Sequence, residues 1–539
     1  MFGLSWGSKE SRGNEVSAPA PVISDAAEPT QPRARRVLAG VRAAARSLFT
    51  GANTDRLSQS WGTTPLPADQ VIERVQRTLV ARSREQSANN DYARAFLRMC
   101  RQNIVGSQGV MLTAQNKKAD GKLDRTANEA VEWAFFEWSK PENCDVKGKR
   151  SLRAIANAVV NSAAKDGEYM VRLVWGEDAG PWGFALQPLD PQRCPVDMKD
   201  DKPRGGGFIR NGIHFNQYGR ATAYYFTTTN EVEADYWYGG KAFIKVPAEE
   251  ILHDFEEDMV GQKRGLPWLA TSLFRMRHLN GMEDAAVINA RVGAAKMGVI
   301  QWKDGEGPEC MNVEDGDDVP QISAEAGEFL TLPTGAEFVK WDPQYPSGEF
   351  APFTKYVLRS MAAGMGVPYN ELAADLEGVN FSSIRQGTLD SREHWKDRQQ
   401  WLIEGFYQRI FDAWLPRALL AGRIKVRGKA VSAVNPAKYA TVEWQARRWD
   451  WIDPNADMKA AEGRKNNMLA SPSSIIREQG KDPLQVWTET ARDMRSMVES
   501  LVAEGFPQDK AQEMVLLSMG RQPDKPVPPA AEGKENANA

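Results

Sequence analysis

Residues 350–392 read FAPFTKYVLRSMAAGMGVPYNELAADLEGVNFSSIRQGTLDSR, a run of helix, stop, exposed loop and long helix. Apolar and small residues over Phe350–Met365 predict the first helix, and Gly366–Pro368 predicts its end, because neither glycine nor proline continues a helix well. A polar loop is predicted over Ala373–Asn380. A Ser-Ser cap then predicts a long second helix over Ser382–Leu419. This arrangement is unusual for an enzyme core and suits a loop that helices hold over an opening.

Composition sets the size and class of the protein. A chain of 539 residues is too long for one compact core, so several domains are expected. The formal net charge is -3, which excludes a basic coat for nucleic acid over the whole chain. Any contact with DNA must therefore be local, or repulsive by design.

Cysteine usage and hydropathy address compartment and membrane. The four cysteines show no CxxC spacing, which argues for a reducing compartment and against a disulfide framework or a zinc ribbon. They are Cys100, Cys144, Cys194 and Cys310. The N-terminus lacks a secretory signal, and no stretch approaches ~18 consecutive apolar residues, so no transmembrane helix is expected.

The first half of the chain has the pattern of an α+β region, and segments predicted to be disordered lie at both ends of the chain. Residues 1–55 are predicted to be disordered, with one short basic helix over Arg33–Phe49, and the tail from 521 to 539 is predicted to be disordered too. Helical spacing predicts two helices between Asp69 and Val105, joined through Ala81–Arg84 and Asn89–Asn90, and further helices over Asn128–Trp138 and Ser151–Lys165. Strands are predicted at Glu168–Trp175, Phe184–Pro188, Gly212–Phe215, Ala221–Thr227 and Ile244–Pro247.

The second half is predicted to be mainly helical with one β-rich insertion. Arg264–Pro267 predicts the start of a long helix of about 28 residues, with Pro near its first position. Strands are predicted at Val299–Trp302, Glu328–Leu332 and Ala336–Trp341. A weak strand is predicted at Ile424–Val426, and Pro454–Ser518 reads as a small all-helical module.

Charge is uneven along the sequence. Between Arg33 and Arg101 there are 13 Arg or Lys against 5 Asp or Glu, which indicates a solvated helix face or a basic surface for a partner. Between Asp304 and Glu328 there are nine Asp or Glu and no Lys or Arg. Duplex DNA is densely negative, so this acidic segment and Asp375–Glu377 fit either a wall that repels the DNA backbone or ordinary solvated loops.

Catalytic motifs are missing from the sequence. No GxxxxGK[ST], GxSxG or HExxH occurs, and the four histidines lie far apart, so neither a packaging ATPase nor a histidine-based site is expected. The acidic run after His253 (Asp254 and Glu256–Asp258) could bind a metal, but a solvated loop is the simpler interpretation. We therefore expect a structural or assembly protein that is not an enzyme and has no cofactor.

Several blocks of sequence, taken in order, resemble the lambda-type portal proteins of tailed phages. The most specific are Gly366–Tyr369 and Leu376–Arg385. The other blocks are Arg82–Arg84 with Asn89–Asn90, Asn103–Gly106, Asp166–Glu168, Gln187–Asp190, Gly219–Arg220, Arg264–Pro267, Asp453–Pro454 and Gly480–Asp482. The resemblance covers about residues 55–490. At Ala373–Asp375 the chain departs from the Thr-Gly-Asp type of turn that is frequent in the family, and its insertion Gly305–Val319 is more acidic and glycine-rich.

The resemblance implies a function and a set of partners. It implies a portal-type α+β fold that assembles into a ring of about twelve copies at one procapsid vertex, with double-stranded DNA passing through the channel. The implied partners are the terminase large subunit, the head-tail connector, and the major capsid and scaffold proteins, with no membrane. The implied location is the virion, after assembly in the host cytoplasm.

By the same resemblance, the chain divides into named regions. They are the disordered segment 1–55, a wing over 56–265, stem helices 266–297 and 350–366, a clip over 298–349, a tunnel loop over 367–381, a wing helix and return over 382–452, a crown over 453–520 and a disordered tail over 521–539. The residues implied to face the DNA channel are Ala373, Ala374, Asp375, Leu376, Glu377, Gly378, Val379, Asn380 and Phe381. Those implied to dock partners at the clip are Asp304, Glu306, Glu309, Glu314, Asp315, Asp317 and Asp318.

Two other classes of function stay open on the sequence alone. One is a capsid scaffold or adaptor without a channel, which would tolerate changes in the tunnel loop. The other is an enzyme of packaging or head maturation, which would need an ATPase loop or a nucleophile–base pair that the sequence does not contain.

Overall fold

The structure is a computed structural model that describes residues 56, 62–228, 243–294, 298–302, 336–340, 348, 350–377, 381–449, 454–479, 481 and 483–518. The chain divides into two units, Met1–Leu66 and Pro67–Ala539. In the first unit, the described residues Arg56 and 62–66 contain no helix or strand. Every element named below belongs to the second unit. No helix in the described ranges is long and apolar enough to cross a membrane.

The second unit opens with two helices, α1 (Ala68–Asn89) and α2 (Asp91–Cys100), and α2 continues as a wider π-helical turn over Arg101–Val105. The predicted junction at Ala81–Arg84 is wrong, because these residues lie inside α1. There the Ser83 hydroxyl donates to the carbonyl of Lys165 at 2.6 Å, which ties this part of α1 to a neighbouring helix. The chain breaks at Asn90, whose side chain caps α2 by accepting from the Ala93 amide at 2.9 Å.

In its described residues, the remainder of the α+β region contains three helices and eight strands. The helices are α3 (Arg125–Trp138), α4 (Pro141–Cys144) and α5 (Leu152–Asp166). The strands are β1 (Met111–Ala114), β2 (Glu168–Trp175), β3 (Phe184–Leu189), β4 (Phe208–Arg210), β5 (Ile213–Phe215), β6 (Ala221–Phe226), β7 (Ile244–Pro247) and β8 (Ile251–Phe255). The two helices and five strands predicted here are confirmed to within a few residues at their ends.

The strands form small antiparallel sheets. One sheet has the order β3-β2-β8, with Val171 between Pro188 and Leu252, and another has the order β4-β5-β6-β7. A turn at Asn216–Gly219 joins β5 to β6, and the Gly219 amide donates to the Asn216 carbonyl at 3.0 Å.

The acidic run after His253 is only partly a loop. Its first residue, Asp254, belongs to β8 and lies opposite Tyr169 of β2. Glu256 follows the strand and forms an ion pair with Arg398 at 2.8 Å. In the described part of the chain, no group of three or more His, Cys, Asp or Glu is placed to hold a metal ion.

The long helix predicted from Arg264–Pro267 begins later than expected, as α6 (Leu273–Ala294). The Trp268 amide donates to the carbonyl of Ala164 at 3.1 Å, at the end of α5, and the chain makes turns until Leu273. Docking against α5 therefore delays the helix. The insertion that follows contains two of its predicted strands, β9 (Gly298–Trp302) and β10 (Ala336–Lys340), and the structure pairs them with each other. The predicted strand at Glu328–Leu332 lies outside the described residues.

Residues 350–402 fold as α7 (Phe350–Met365), a short helix α8 (Tyr369–Ala373), and the long helix α9 (Phe381–Leu402). A π-helical segment over Ile403–Gln408 joins α9 to α10 (Arg409–Leu420) without a break. The predicted long second helix is thus confirmed, and it begins one residue before the predicted cap. The prediction of a polar loop over Ala373–Asn380 is wrong at its first residue, because Ala373 is the last residue of α8.

The remaining elements are small strands and a helical module. The strands are β11 (Lys425–Val426), β12 (Lys429–Ala430) and β13 (Val442–Gln445). The helices are α11 (Pro454–Asn466), α12 (Pro472–Glu478), α13 (Pro483–Ala503) and α14 (Gln508–Ser518). β13 pairs with β1 across more than 300 residues, from Met111 opposite Gln445 to Ala114 opposite Val442. Short 3₁₀ turns lie at Glu177–Trp182, Pro191–Arg193, Ala248–Glu250 and Pro436–Tyr439.

One continuous apolar core joins the α+β region to α6, α7 and the α9–α10 helix. At its centre Trp138 stacks on Phe184, with ring centroids 5.5 Å apart, and its indole N–H donates to the Phe184 carbonyl at 2.9 Å. A smaller core lies between β4–β7 and its neighbours, around Phe226 and Ile213. Helices α6 and α7 and the α+β region therefore share one core, and Val367 and Leu372, which follow α7, belong to it.

Candidate channel loop and its anchoring network

The loop predicted to face the channel begins where α7 stops. Gly366 has φ +69, a conformation that favours glycine, and the Val367 amide donates back to the Ala362 carbonyl at 3.0 Å. Pro368 then starts α8 with its fixed φ. The stop anticipated from Gly366–Pro368 is therefore present and redirects the chain.

The end of α7 lies very close to the chain that leads into α6. The Thr271 hydroxyl donates to the Gly364 carbonyl at 3.2 Å, and the Ser272 hydroxyl donates to the Met361 carbonyl at 3.3 Å. A Cβ atom at Gly364 would lie 2.9 Å from the Thr271 hydroxyl oxygen. The small residues of α7 permit this approach, which gives the loop a fixed base.

Asp375 ties the first half of the loop to α7. Its carboxylate accepts from Lys355 Nζ and from the Tyr369 hydroxyl, both at 2.7 Å, and from the Glu377 amide at 2.9 Å. The hydrogen bonds from Lys355 and Tyr369 hold the pKa of Asp375 well below its ordinary value. Because Lys355 balances the charge, Asp375 acts mainly as a clasp, and less as a free negative charge.

Two cations of α7 also lie near the ring of Tyr369. Arg359 lies 5.4 Å and Lys355 lies 5.7 Å from the centre of its ring, within cation–π range. Burial and the hydrogen bond to Asp375 raise the pKa of Tyr369 to about 12. Its hydroxyl therefore stays protonated and keeps donating to Asp375 at neutral pH.

Of the other loop residues predicted to face the channel, the structure describes some and leaves three outside its described part. Ala374 follows α8 with φ +52, Leu376 is 70% exposed, and Glu377 is exposed. Phe381 is the first residue of α9. The residues that lie outside the described part are Gly378, Val379 and Asn380, together with the predicted clip residues Asp304, Glu306, Glu309, Glu314, Asp315, Asp317 and Asp318.

Sequence blocks noted for their family resemblance also meet in space. Arg84 donates to Asp166 at 2.8 Å and to Asp190 at 2.7 Å, so its own block shares one ion cluster with two blocks that lie 82 and 106 residues away. Asn90 likewise donates to Asn280 of α6 at 2.6 Å. These polar residues thus fix the helices of the core relative to one another.

A fully buried ion pair, Glu168–Arg264, lies at the centre of this network. Arg264 donates to Glu168 at 2.7–2.9 Å and to the carbonyls of Pro191, Cys194 and Asn211 at 2.8–3.0 Å. His253 Nε2 lies 3.0 Å from the same carboxylate. Burial raises the pKa of Glu168, but Arg264 and His253 more than offset this effect and lower it to about 2.

Two glycines allow the backbones to meet around this pair. Gly167 has φ +91, and a Cβ atom there would lie 2.3 Å from the Leu266 carbonyl carbon. A Cβ atom at Gly265 would lie 2.0 Å from the Gly167 carbonyl oxygen. The blocks Asp166–Glu168 and Arg264–Pro267 are therefore two sides of one joint. The sequence shows them as separate blocks and does not indicate that they meet.

A basic cavity of about 960 Å³ lies beside the loop, and sequence reasoning missed it. Loop residues Ala374 and Leu376 form part of its wall. The charged residues that line it are Arg98, Arg101, Arg153, Arg392, Arg447 and Glu371. The basic excess between Arg33 and Arg101 was a partial signal, because two of these arginines fall within it.

Gly366 is a sensitive position at the loop base. Gly366→Leu is expected to lower the yield of assembled protein, because a side chain at positive φ costs about 1–2 kcal/mol. Its Cβ would also lie 3.1 Å from His394 Cε1 of α9. The measurement is the fraction of assembled protein in size-exclusion chromatography.

Gly387→Leu is the matched control for Gly366→Leu, because no atom lies within 4 Å of a Cβ built at Gly387 on α9. We expect the control to assemble normally. Equal yields for the two variants would show that the glycine stop is dispensable.

His394, against which Gly366 lies, gives the loop base a pH dependence. Burial lowers the pKa of His394 from its ordinary 6.5, and Arg398 lowers it further, while Glu256 and Asp397 act in the opposite direction. Below pH 6.5 the unfolded chain binds a proton that the folded chain resists, so stability should fall as pH falls. Thermal midpoints of wild type and His394→Gln at pH 5.5 and 7.5 test this. We expect the smaller change in the variant, and identical changes would contradict the role.

Comparisons with known proteins agree with the resemblance. The family described as phage portal protein, lambda family, matches residues 54–399. A probable portal protein of Halomonas phage phiHAP-1 is 33% identical over 455 residues, which are 83% of this chain and 86% of that protein. Portal protein B of Escherichia phage lambda is 23% identical over 406 residues, covering 69% of this chain and 73% of that protein.

Among solved structures, a chain from the neck of a native GTA particle computed with C12 symmetry is similar, with 15% identity and a TM-score of 0.40. The similarity covers 80% of this chain and 99% of that one. The family match extends over more than half of the sequence, including both halves of the buried joint, α7, and the start of α9. This chain belongs to the lambda family of phage portal proteins.

Proposed function

We propose that this protein forms the ring-shaped channel at one procapsid vertex through which DNA is packaged and later ejected. The observation that carries the proposal is the family match over residues 54–399, which includes a loop clasped to α7 by Asp375. A portal role is structural, so the protein is proposed to act without catalysis. Its proposed location is the virion, after assembly in the host cytoplasm.

The regional assignments belong to the same proposal. The region 56–265 and the long helix from α9 onward would form the wing, and the chain around α6 and α7 would form the stem. The insertion over 298–349 would form the clip, which would dock the terminase large subunit and then the head-tail connector. The module over 453–520 would form the crown, and the major capsid and scaffold proteins would surround the ring.

The joint between Glu168 and Arg264 supports this assignment of wing and stem. It fixes the start of β2 to the chain entering α6 through a buried ion pair and two glycines that permit backbone contact. A stem helix that must keep its position while DNA moves past it needs such a rigid attachment. This rigid attachment of α6 to the α+β region favours a channel over a passive adaptor.

Deletion and complementation test the proposal. A phage that lacks this gene should make heads that contain no nuclease-protected DNA, and supply of the full chain from a plasmid should restore protected DNA. Heads filled with DNA in the absence of the protein would overturn the proposed function.

A further inference from the structure

The basic cavity beside the loop concentrates positive charge that the joint and the clasp do not use. Of the described residues that line it, five are arginines and one, Glu371, is acidic. The net charge of this lining is therefore +4, in a protein whose formal net charge is -3. Guanidinium groups gathered on one concave surface repel one another, and an anion relieves that repulsion.

Part of this cavity is built before any ligand arrives. Arg447 donates to the Gln102 carbonyl at 2.7 Å and to Asn103 Oδ1 at 2.6 Å. The Trp449 indole N–H donates to the same Asn103 oxygen at 3.1 Å. Gln399 completes the wall by donating to the carbonyls of Asn103 at 2.7 Å and Arg447 at 3.1 Å.

Trp449 also orders the guanidinium groups around it. The guanidinium carbons of Arg447 and Arg392 lie 5.7 Å and 5.8 Å from the centre of its ring. A Cβ atom at Gly106, which has φ +79, would lie 2.9 Å from Arg447 Cβ, so only glycine leaves room for this packing. The family-like block Asn103–Gly106 thus serves to hold one wall of the cavity.

The other arginines are exposed and available to a ligand. Arg98 and Arg101 project from the end of α2 and its π-helical turn, and Arg153 lies in the first turn of α5. The cavity therefore combines two arginines packed on Trp449, Arg392 and Arg447, with three exposed arginines.

We propose that this cavity binds the phosphodiester backbone of DNA next to the loop. The inference rests on the proposed function, which brings DNA past Ala374 and Leu376. Arginine presents a planar fork of N–H donors that matches phosphate oxygens, and five such forks with one carboxylate suit a polyanion. The volume of about 960 Å³ is larger than one isolated phosphate needs, and it accommodates several phosphate groups of one DNA strand.

DNA binding by purified full-length protein tests the proposal. The probe is a fluorescein-labelled 30-base-pair duplex, titrated at several salt concentrations and followed by fluorescence anisotropy. The cavity variant carries Arg98→Gln, Arg101→Gln and Arg153→Gln. The matched control carries Arg125→Gln, Arg204→Gln and Arg220→Gln, three exposed arginines that do not line the cavity.

Both triple variants remove the same charge, so they separate the cavity from general electrostatics. Each phosphate contact contributes a factor of about eight at 0.1 M salt, so the cavity variant should bind at least about tenfold more weakly than the control. The slope of log K against log[salt] should also fall by about one for each arginine that contacts a phosphate. Thermal midpoints equal to wild type would show that both variants are folded.

Two results would overturn the inference. If the two triple variants bind DNA equally, the cavity is not the DNA site. If the cavity variant loses assembly but its subunits bind DNA as the control does, the arginines receive carboxylates of a second copy. Failure of the proposed function is a separate result, because wild type would then not restore nuclease-protected DNA in the deletion phage.

Discussion

Arg264→Met is expected to lower the free energy of unfolding by about 3–5 kcal/mol. The substitution leaves the Glu168 carboxylate, which is completely buried, without its main charged partner. It also removes a donor from the carbonyls of Pro191, Cys194 and Asn211. The Pro191 carbonyl keeps the Cys194 amide as a donor, and the Asn211 carbonyl keeps the weak Cys194 thiol. A buried carboxylate without its cation is among the costliest defects a single substitution can make.

The measurement is chemical denaturation of the full chain followed by tryptophan fluorescence. Lys199→Met is the control, because Lys199 forms an ion pair of 2.7 Å with Glu73 but is 61% exposed. Exposed pairs contribute about 0–1 kcal/mol, so this variant should unfold almost as wild type does. Adding Glu168→Gln to Arg264→Met should recover part of the loss by removing the stranded charge. Equal midpoints for Arg264→Met and Lys199→Met would contradict the role of the joint.

Glu377→Lys is expected to lower the yield of nuclease-protected DNA at least about tenfold while ring formation stays normal. Glu377 is exposed, so the change does not disturb the core. The lysine adds one phosphate contact, worth a factor of about eight at 0.1 M salt, to those proposed for the basic cavity, and the ring repeats it in every subunit. The stronger hold on DNA at the loop would slow its passage. Protected DNA in a complementation assay is the measurement.

The clasp requires a separate variant, because Asp375 and Glu377 differ in their contacts. Asp375→Asn breaks the ion pair with Lys355, which lies near the surface, so the fold should keep nearly all of its stability. Packaging should nevertheless fall, because the loop loses its attachment to α7. Asp375→Lys is a poor probe of repulsion, since it would place an ammonium group beside Lys355 and Arg359.

Glu85→Lys provides the control for Glu377→Lys, since it reverses an exposed charge on α1. We expect this control to package normally. Normal packaging by both Glu377→Lys and Asp375→Asn would remove the loop from the channel wall and favour the adaptor alternative.

Local signals in the sequence predicted much of this fold. The end of α7 follows from glycine and proline chemistry at Gly366–Pro368, and the long helix from Phe381 follows from helical spacing. Strand β2 was predicted with its observed bounds, because Glu168–Trp175 has strand-forming residues between clear breaks. Such features depend on neighbours within a few residues, which is the range that patterns report.

The features that the sequence did not predict depend on contacts between residues far apart in the chain. α6 starts late because Trp268 is bound to Ala164, and β8 carries the acidic Asp254 because β2 offers it a partner. Single residues far apart also build the cavity, for example Gln102 and Arg447, which are separated by 345 residues. No local pattern encodes those pairings. The charge of Asp375 was visible in the sequence, but its clasp to Lys355 was not.

Electron microscopy of the protein released from procapsids, with native mass measured on the same sample, tests the channel most directly. We predict closed rings of about twelve copies, in keeping with cyclic symmetry, with a central opening wide enough for duplex DNA. An assembly of defined mass with no central opening would contradict the account.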